Sequence, residues 1–283
     1  MRLEKLFPSE KDAKNREQDL RAAWIAFLCA YVCMLVGMSA FQTFFDWIAP
    51  AYASVASLFG AALAGIPLFF FFRSERAPMC CLRYLKKEKA VLRLILGWLL
   101  GLAMLFFLIA ILFLLDAYAY AGAQTEGAVY MPLLFLSYLV QGSAEELLCR
   151  GVFMPILCVR YGGTVGAAVS AAFFALMHAM NPGVGVFALL NVFLFGLLFA
   201  SVTQRAKSVW PVCGLHAGWN FSQSLFGLQV SGSASLSAPL RFESRISWLT
   251  GGAFGPEGSP ILTFFLLLFL ACPFMFSKKT ENR

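Results

Sequence analysis

The sequence predicts an all-α polytopic membrane protein, with about eight transmembrane helices around a polar cavity. Three observations carry that class. Of the 283 residues, 60% are hydrophobic and only 13% charged, whereas a soluble domain is about a quarter charged. The apolar residues recur in runs of about 20, the length that crosses a hydrocarbon core about 30 Å thick. A few ionisable residues sit inside three of those runs, where each costs at least a few kcal/mol, so function is the default reading for them.

The charged start, MRLEKLFPSEKDAKNREQDLR, has no small-residue cleavage site, and the apolar run behind it is too long for a signal-peptide core. The first span, 22–45, is therefore expected to stay in the membrane. Further spans are expected near 51–72, 92–115, 129–148, 163–180, 184–203, 209–228 and 259–276, with Trp47, Trp210 and Trp248 near span ends as an interfacial belt. Between the fourth and fifth, Arg160-Tyr161-Gly162-Gly163 reads as the hinge of an antiparallel helix pair, since two glycines end a helix and basic residues mark the surface. Only Asn181-Pro182-Gly183 separates the fifth from the sixth. The Ser- and Gly-containing segment 229–258 either lies over the domain or is disordered. No repeat or linker divides the chain, so residues 1–283 are read as a single membrane domain.

Basic residues set the expected orientation, because lysine and arginine gather on the cytoplasmic side of short loops. Six of the 22 fall in the first 21 residues and seven in 73–93, with Arg150, Arg160, Arg205 and Lys207 on the same side and Lys278, Lys279 and Arg283 in the tail. The alternate connections 46–50, 116–128 and 181–183 hold none, and 229–258 holds only Arg241 and Arg245. Both termini are expected in the cytoplasm of a multi-pass protein, in a bacterial plasma membrane given the short termini and lack of organellar signals. The net charge of +7 follows from this topology and from contact with anionic headgroups of the lipid bilayer, and it carries no nucleic-acid signal. None of the eight cysteines falls in an expected external loop, so they are expected to be reduced.

The polar positions inside the spans are Glu145, Glu146 and Arg150 in the fourth, His178 in the fifth, and His216 and Asn220 in the seventh; the two histidines are the only ones in the chain. Residues four apart share a helix face, so Glu146 pairs with Arg150 while Glu145 points about 100° away, free for chemistry. Glu145 lies 15 residues before Arg160 and His178 lies 15 after Gly163. At 1.5 Å per residue both stand about 22 Å from the hinge and come level. His216 and Asn220 also share a face, but straight-helix counting leaves His216 about 15 Å nearer the cytoplasm than His178. Either the sixth span tilts or Asn181-Pro182-Gly183 turns inside the protein. Glu145, His178 and His216 offer a nitrogen, nitrogen and oxygen set for zinc with an open position. A metal-free scheme is equally open, in which a desolvated glutamate takes a proton from water.

Read together, Glu145-Glu146-Leu147-Leu148-Cys149-Arg150 (EExxxR), Phe174 to His178 (FxxxH) and His216 to Asn220 (HxxxN) resemble the motifs of the CPBP family of intramembrane proteases. That family includes the CAAX proteases, among them the type II CAAX prenyl endopeptidases, and the bacteriocin-processing and Abi proteins. The resemblance covers about 129–228, which would be the catalytic core. It implies an eight-helix peptidase whose cavity opens to the cytoplasm and whose substrate is a peptide or membrane protein. By the same resemblance Glu145 is the general base, helped by His178; His216 and Asn220 stabilise the oxyanion; and Glu146 and Arg150 orient Glu145. Members are usually labelled metalloproteases, although a glutamate mechanism without metal is also argued. Two rival readings are a proton-coupled transporter, which uses similar Glu and His relays, and a non-catalytic immunity or scaffold protein that keeps the cavity.

Overall fold

The computed structural model describes residues 10–74, 78–85, 88–124, 128–233 and 238–276. Helices occupy every expected span. In chain order they are α1 (Glu10–Ile48), α2 (Ala53–Gly60), α3 (Gly65–Arg73), the short α4 (Met79–Leu82), α5 (Ala90–Leu114), α6 (Met131–Glu146), α7 (Met154–Tyr161), α8 (Gly163–Met177), α9 (Val186–Ala206), α10 (Trp210–Leu225), the short α11 (Ser247–Thr250) and α12 (Pro260–Phe276). Four stretches are long and apolar enough to cross a membrane: 17–48, 50–73, 90–114 and 186–206; α8 and α12 are apolar but shorter. One departure from an all-helical chain is a two-stranded antiparallel pair, β1 (Tyr118–Ala123) with β2 (Leu240–Ser244).

The fourth span does not end at 148. Leu147–Phe153 form a π-helical stretch that joins α6 to α7 in one helical run from Met131 to Tyr161, about 46 Å long at 1.5 Å per residue. Pro155 supplies a reason, since proline cannot donate to the preceding turn and clashes with its carbonyl, and a wider turn relieves both. The consequence is positional. Glu145, Glu146 and Arg150 sit in the middle of the run, not at a cytoplasmic end, and Arg150 is a fully buried residue and not a marker of topology. The expected hinge forms at Gly162, whose φ of 88° is open to glycine and strained for other residues.

Close glycine contacts fix α10. An added Cβ on Gly97 would lie 1.9 Å from the Pro211 carbonyl oxygen, and one on Gly214 would lie 1.9 Å from that of Leu94. Gly97 and Gly101 on α5 thus meet Gly214 and Gly218 on α10 backbone to backbone, the close packing that small residues permit between membrane helices. Gly142 on α6 faces His216 and Ala217 in the same way, at 3.3–3.5 Å.

Contacts sort the connections into two ends. Val209 donates to the Tyr84 carbonyl, Gln204 donates to the Gly163 carbonyl, and Trp24 packs edge-on against Phe153, so the basic connections lie together. At the other end the β-pair, the 181–185 turn and the 226–259 segment meet: Asn181 Nδ2 donates to the Ser231 carbonyl, and Gly183 and Gly232 pack against Ala253 and Pro182. Where it is described, the long loop packs against the 181–183 turn, although Pro182 and Gly183 themselves stay exposed.

Candidate active site

The site begins with a buried ion pair. Arg150 Nη1 donates to Glu146 Oε1 at 3.0 Å, with both side chains inaccessible to solvent. The guanidinium also donates to the Gly196 carbonyl at 3.1 Å and lies over the rings of Phe174 (4.4 Å) and Phe199 (5.3 Å). Such a pair needs further hydrogen bonds to offset desolvation, and His216 supplies one, its Nδ1 lying 3.1 Å from the same Glu146 oxygen. A carboxylate only accepts, so Nδ1 carries the hydrogen and Nε2 is left for other work. That Nε2 is 4.0 Å from Glu145 Oε2.

Glu145 has its own support. Gln141, one turn earlier, donates from Nε2 to Glu145 Oε1, and its Oε1 accepts from Asn220 Nδ2 at 3.3 Å. Gln141 thereby ties the general-base candidate to the oxyanion candidate. The other carboxylate oxygen, Glu145 Oε2, is buried with no hydrogen-bond partner in the structure. An orphaned buried oxygen of this kind calls for a water or a ligand.

His178 caps α8 rather than standing within it. Its Nδ1 is 2.8 Å from the Phe174 carbonyl, which accepts, so Nε2 is again the available nitrogen. His178, Glu145, Gln141 and Asn220 share the wall of a cavity of about 300 Å³, whose opposite side is Tyr31, Met34 and Met38 of α1 and Ser54 and Leu58 of α2. A second space of about 20 Å³ adjoins His178, His216 and Asn220. All six expected positions therefore belong to one region. The pairing differs from the expectation in one respect: Glu146, held by Arg150, contacts His216 and not Glu145.

Among the described residues no three His, Cys, Asp or Glu side chains converge on a common point, and no hydrogen bond or ion pair joins His178 to Glu145 or His216. His216 Nε2 and Glu145 Oε2 stand 4.0 Å apart, a separation that two ligands each about 2.0–2.2 Å from one ion can have, but no third donor completes a cluster with them among the described residues. Cys213, three residues before His216, is a buried free cysteine.

Several residues of the site escaped the sequence reading. Gln141 was legible, being one turn from Glu145. Phe174 entered the sequence reading only as the start of FxxxH, yet it stacks under Arg150, its carbonyl accepts the His178 Nδ1 hydrogen and its ring abuts that of His216. Glu257 lies in the long loop, where no periodicity points to it.

The larger cavity extends from Glu145 past Gln141, Tyr138 and Leu134, toward the Met131 end of the run. Ser231 and Ser233 of the final loop line it as well. These lining residues lie toward the Met131 end of the run, on the side of the site away from the basic connections.

Residues 127–222 match the family described as type II CAAX prenyl endopeptidase Rce1-like, a stretch that contains all six positions. No curated protein and no solved structure matches the chain.

Proposed function

From the match of residues 127–222 to the family described as type II CAAX prenyl endopeptidase Rce1-like, we propose that the chain is a CAAX-type membrane endopeptidase whose reaction is driven by Glu145 and water. The observation that supports this most is the partnerless, buried Glu145 Oε2 at the foot of the cavity, 4.0 Å from His216 Nε2. Water bound there donates to Oε2, loses its proton to it and attacks the scissile carbonyl carbon. The oxyanion that forms is met by the Asn220 amide N–H and, in their imidazolium forms, by the Nε2–H of His216 and His178, whose Nδ1–H groups already serve Glu146 and the Phe174 carbonyl. As the carbon–nitrogen bond breaks, Glu145 returns its proton to the leaving nitrogen. No step passes through a metal.

The surrounding shell explains why the groups stay in place. Gln141 fixes one Glu145 oxygen, leaving the other for water, and the Arg150–Glu146 pair fixes the His216 ring through Nδ1. Donors aimed at a developing oxyanion in a dry site contribute about 3–4 kcal/mol each, and a positioned base about 10²–10⁴ in rate. Substrate is a peptide segment threaded into the cavity, with the methionines of α1 against its apolar side chains. With the basic ends in the cytoplasm, it enters from the opposite half of the bilayer.

A transport reading has less support, because Arg150, sealed under Phe174 and Phe199, closes the polar chain toward the basic end. The test is direct: purified protein in micelles is incubated with prenylated and unprenylated C-terminal CAAX-type peptides and with leader-type peptides, and products are read by mass spectrometry. Specific cleavage of one class is expected. Intact peptides throughout would refute the reading.

A further inference from the structure

Glu257 is a buried carboxylate that neither the motifs nor the mechanism uses. It is only 5% exposed and belongs to a short turn of helix, Pro256–Gly258, in the loop that covers the site. Trp219 Nε1 donates to its Oε1 at 3.1 Å and Ser231 Oγ to its Oε2 at 2.6 Å. Asn191 Nδ2 clamps the turn from α9, donating to the carbonyls of Glu257 and Ser259 at 2.8 Å each, and Thr263 holds the Asn191 amide oxygen. Among the described residues no cation forms an ion pair with it. A buried carboxylate held by two neutral donors alone is a costly arrangement whose place in the fold is nonetheless strongly enforced.

Its position suggests what it is for. Glu257 lines the space of about 20 Å³ that it shares with His178, His216 and Asn220, room for one water. Two donors occupy two of about four acceptor directions of a carboxylate. Ser231 lines both this space and the larger cavity, so the two adjoin at Glu257's own partner. Resting on the protease reading above, we propose that Glu257 is a positioning residue of the hydrolytic site. Its anionic carboxylate holds a water against His178, His216 and Asn220 and so keeps their polar atoms aimed at the reacting carbonyl.

Glutamine at this position keeps both hydrogen bonds, accepting from Trp219 and donating to the Ser231 hydroxyl, but removes the charge. A role limited to anchoring the loop is therefore preserved in Glu257→Gln, and a positioning role is not. The experiment compares the full-length protein, Glu257→Gln and Glu145→Gln on one cleaved peptide, with thermal unfolding followed in the same detergent. Expected for Glu257→Gln is a fall in kcat of about 10- to 100-fold with KM and unfolding midpoint unchanged. Full kcat in Glu257→Gln, with Glu145→Gln inactive, overturns this proposal alone. No cleavage by the unmodified protein overturns the protease reading and this proposal with it. Should Glu257→Gln fail to fold, the equal-length pair Glu257→Asp and Glu257→Asn decides: higher kcat in the charged variant supports the proposal, and equal kcat refutes it.

Discussion

Replacing Arg150 by methionine tests whether the centre of the site is an energetic unit. The exchange keeps an unbranched chain but deletes the donor to Glu146 Oε1, the donor to the Gly196 carbonyl and the cation over Phe174. Glu146 is left buried and charged, with only the His216 Nδ1 hydrogen bond. Removing one partner of a buried ion pair costs about 3–5 kcal/mol, because the surviving charge has lost its compensation and water cannot reach a side chain that is wholly inaccessible. The double variant Glu146→Gln with Arg150→Met removes the orphaned charge while its amide oxygen still accepts from His216, so it recovers a substantial part of that loss. Unfolding in mixed micelles at increasing denaturing detergent, followed by tryptophan fluorescence, measures all four corners of the cycle. A single variant as stable as the parent, or a double variant no better than Arg150→Met, would refute the reasoning.

Three further outcomes follow from the geometry. Gln141→Leu strips Glu145 Oε1 and Asn220 of their shared partner, and kcat is expected to fall about 10- to 100-fold with little change in KM; steady-state kinetics with normal kcat would separate Gln141 from the site. Activity is expected to survive prolonged dialysis against a strong chelator, since the proposed steps run through Glu145 and water and no three-donor cluster is found among the described residues; loss of turnover restored by zinc alone would reverse that conclusion. A cysteine placed at Asp116, beside Arg245 at the far end from the basic connections, is expected to react with membrane-impermeant maleimide added outside intact cells. Labelling only after permeabilisation would invert the orientation.

The membrane class and the region of the site were legible because burial of charge in an apolar run is costly and therefore informative. Spacing alone placed Glu146 with Arg150, and the two glycines of the hinge brought the fourth and fifth spans together as counted. What escaped was set by contacts that no period encodes. Pro155 extends the fourth helix through a π-helical stretch, which moved Arg150 from a supposed surface tally into the core. The approach of α5 to α10 was written in Gly97, Gly101, Gly214 and Gly218, a four-residue spacing of small residues that the search for polar groups passed over. Glu257 reaches the site from a loop, where its position depends on Asn191 in another helix.

The central claim is that Glu145 activates the water, and the most direct measurement is kcat/KM of Glu145→Gln relative to the parent on a peptide the parent cleaves. Glutamine keeps the shape of the side chain and cannot take the proton, so the account predicts a loss of at least about 10³-fold in a protein that elutes and unfolds like the parent. Turnover within tenfold of the parent would contradict it.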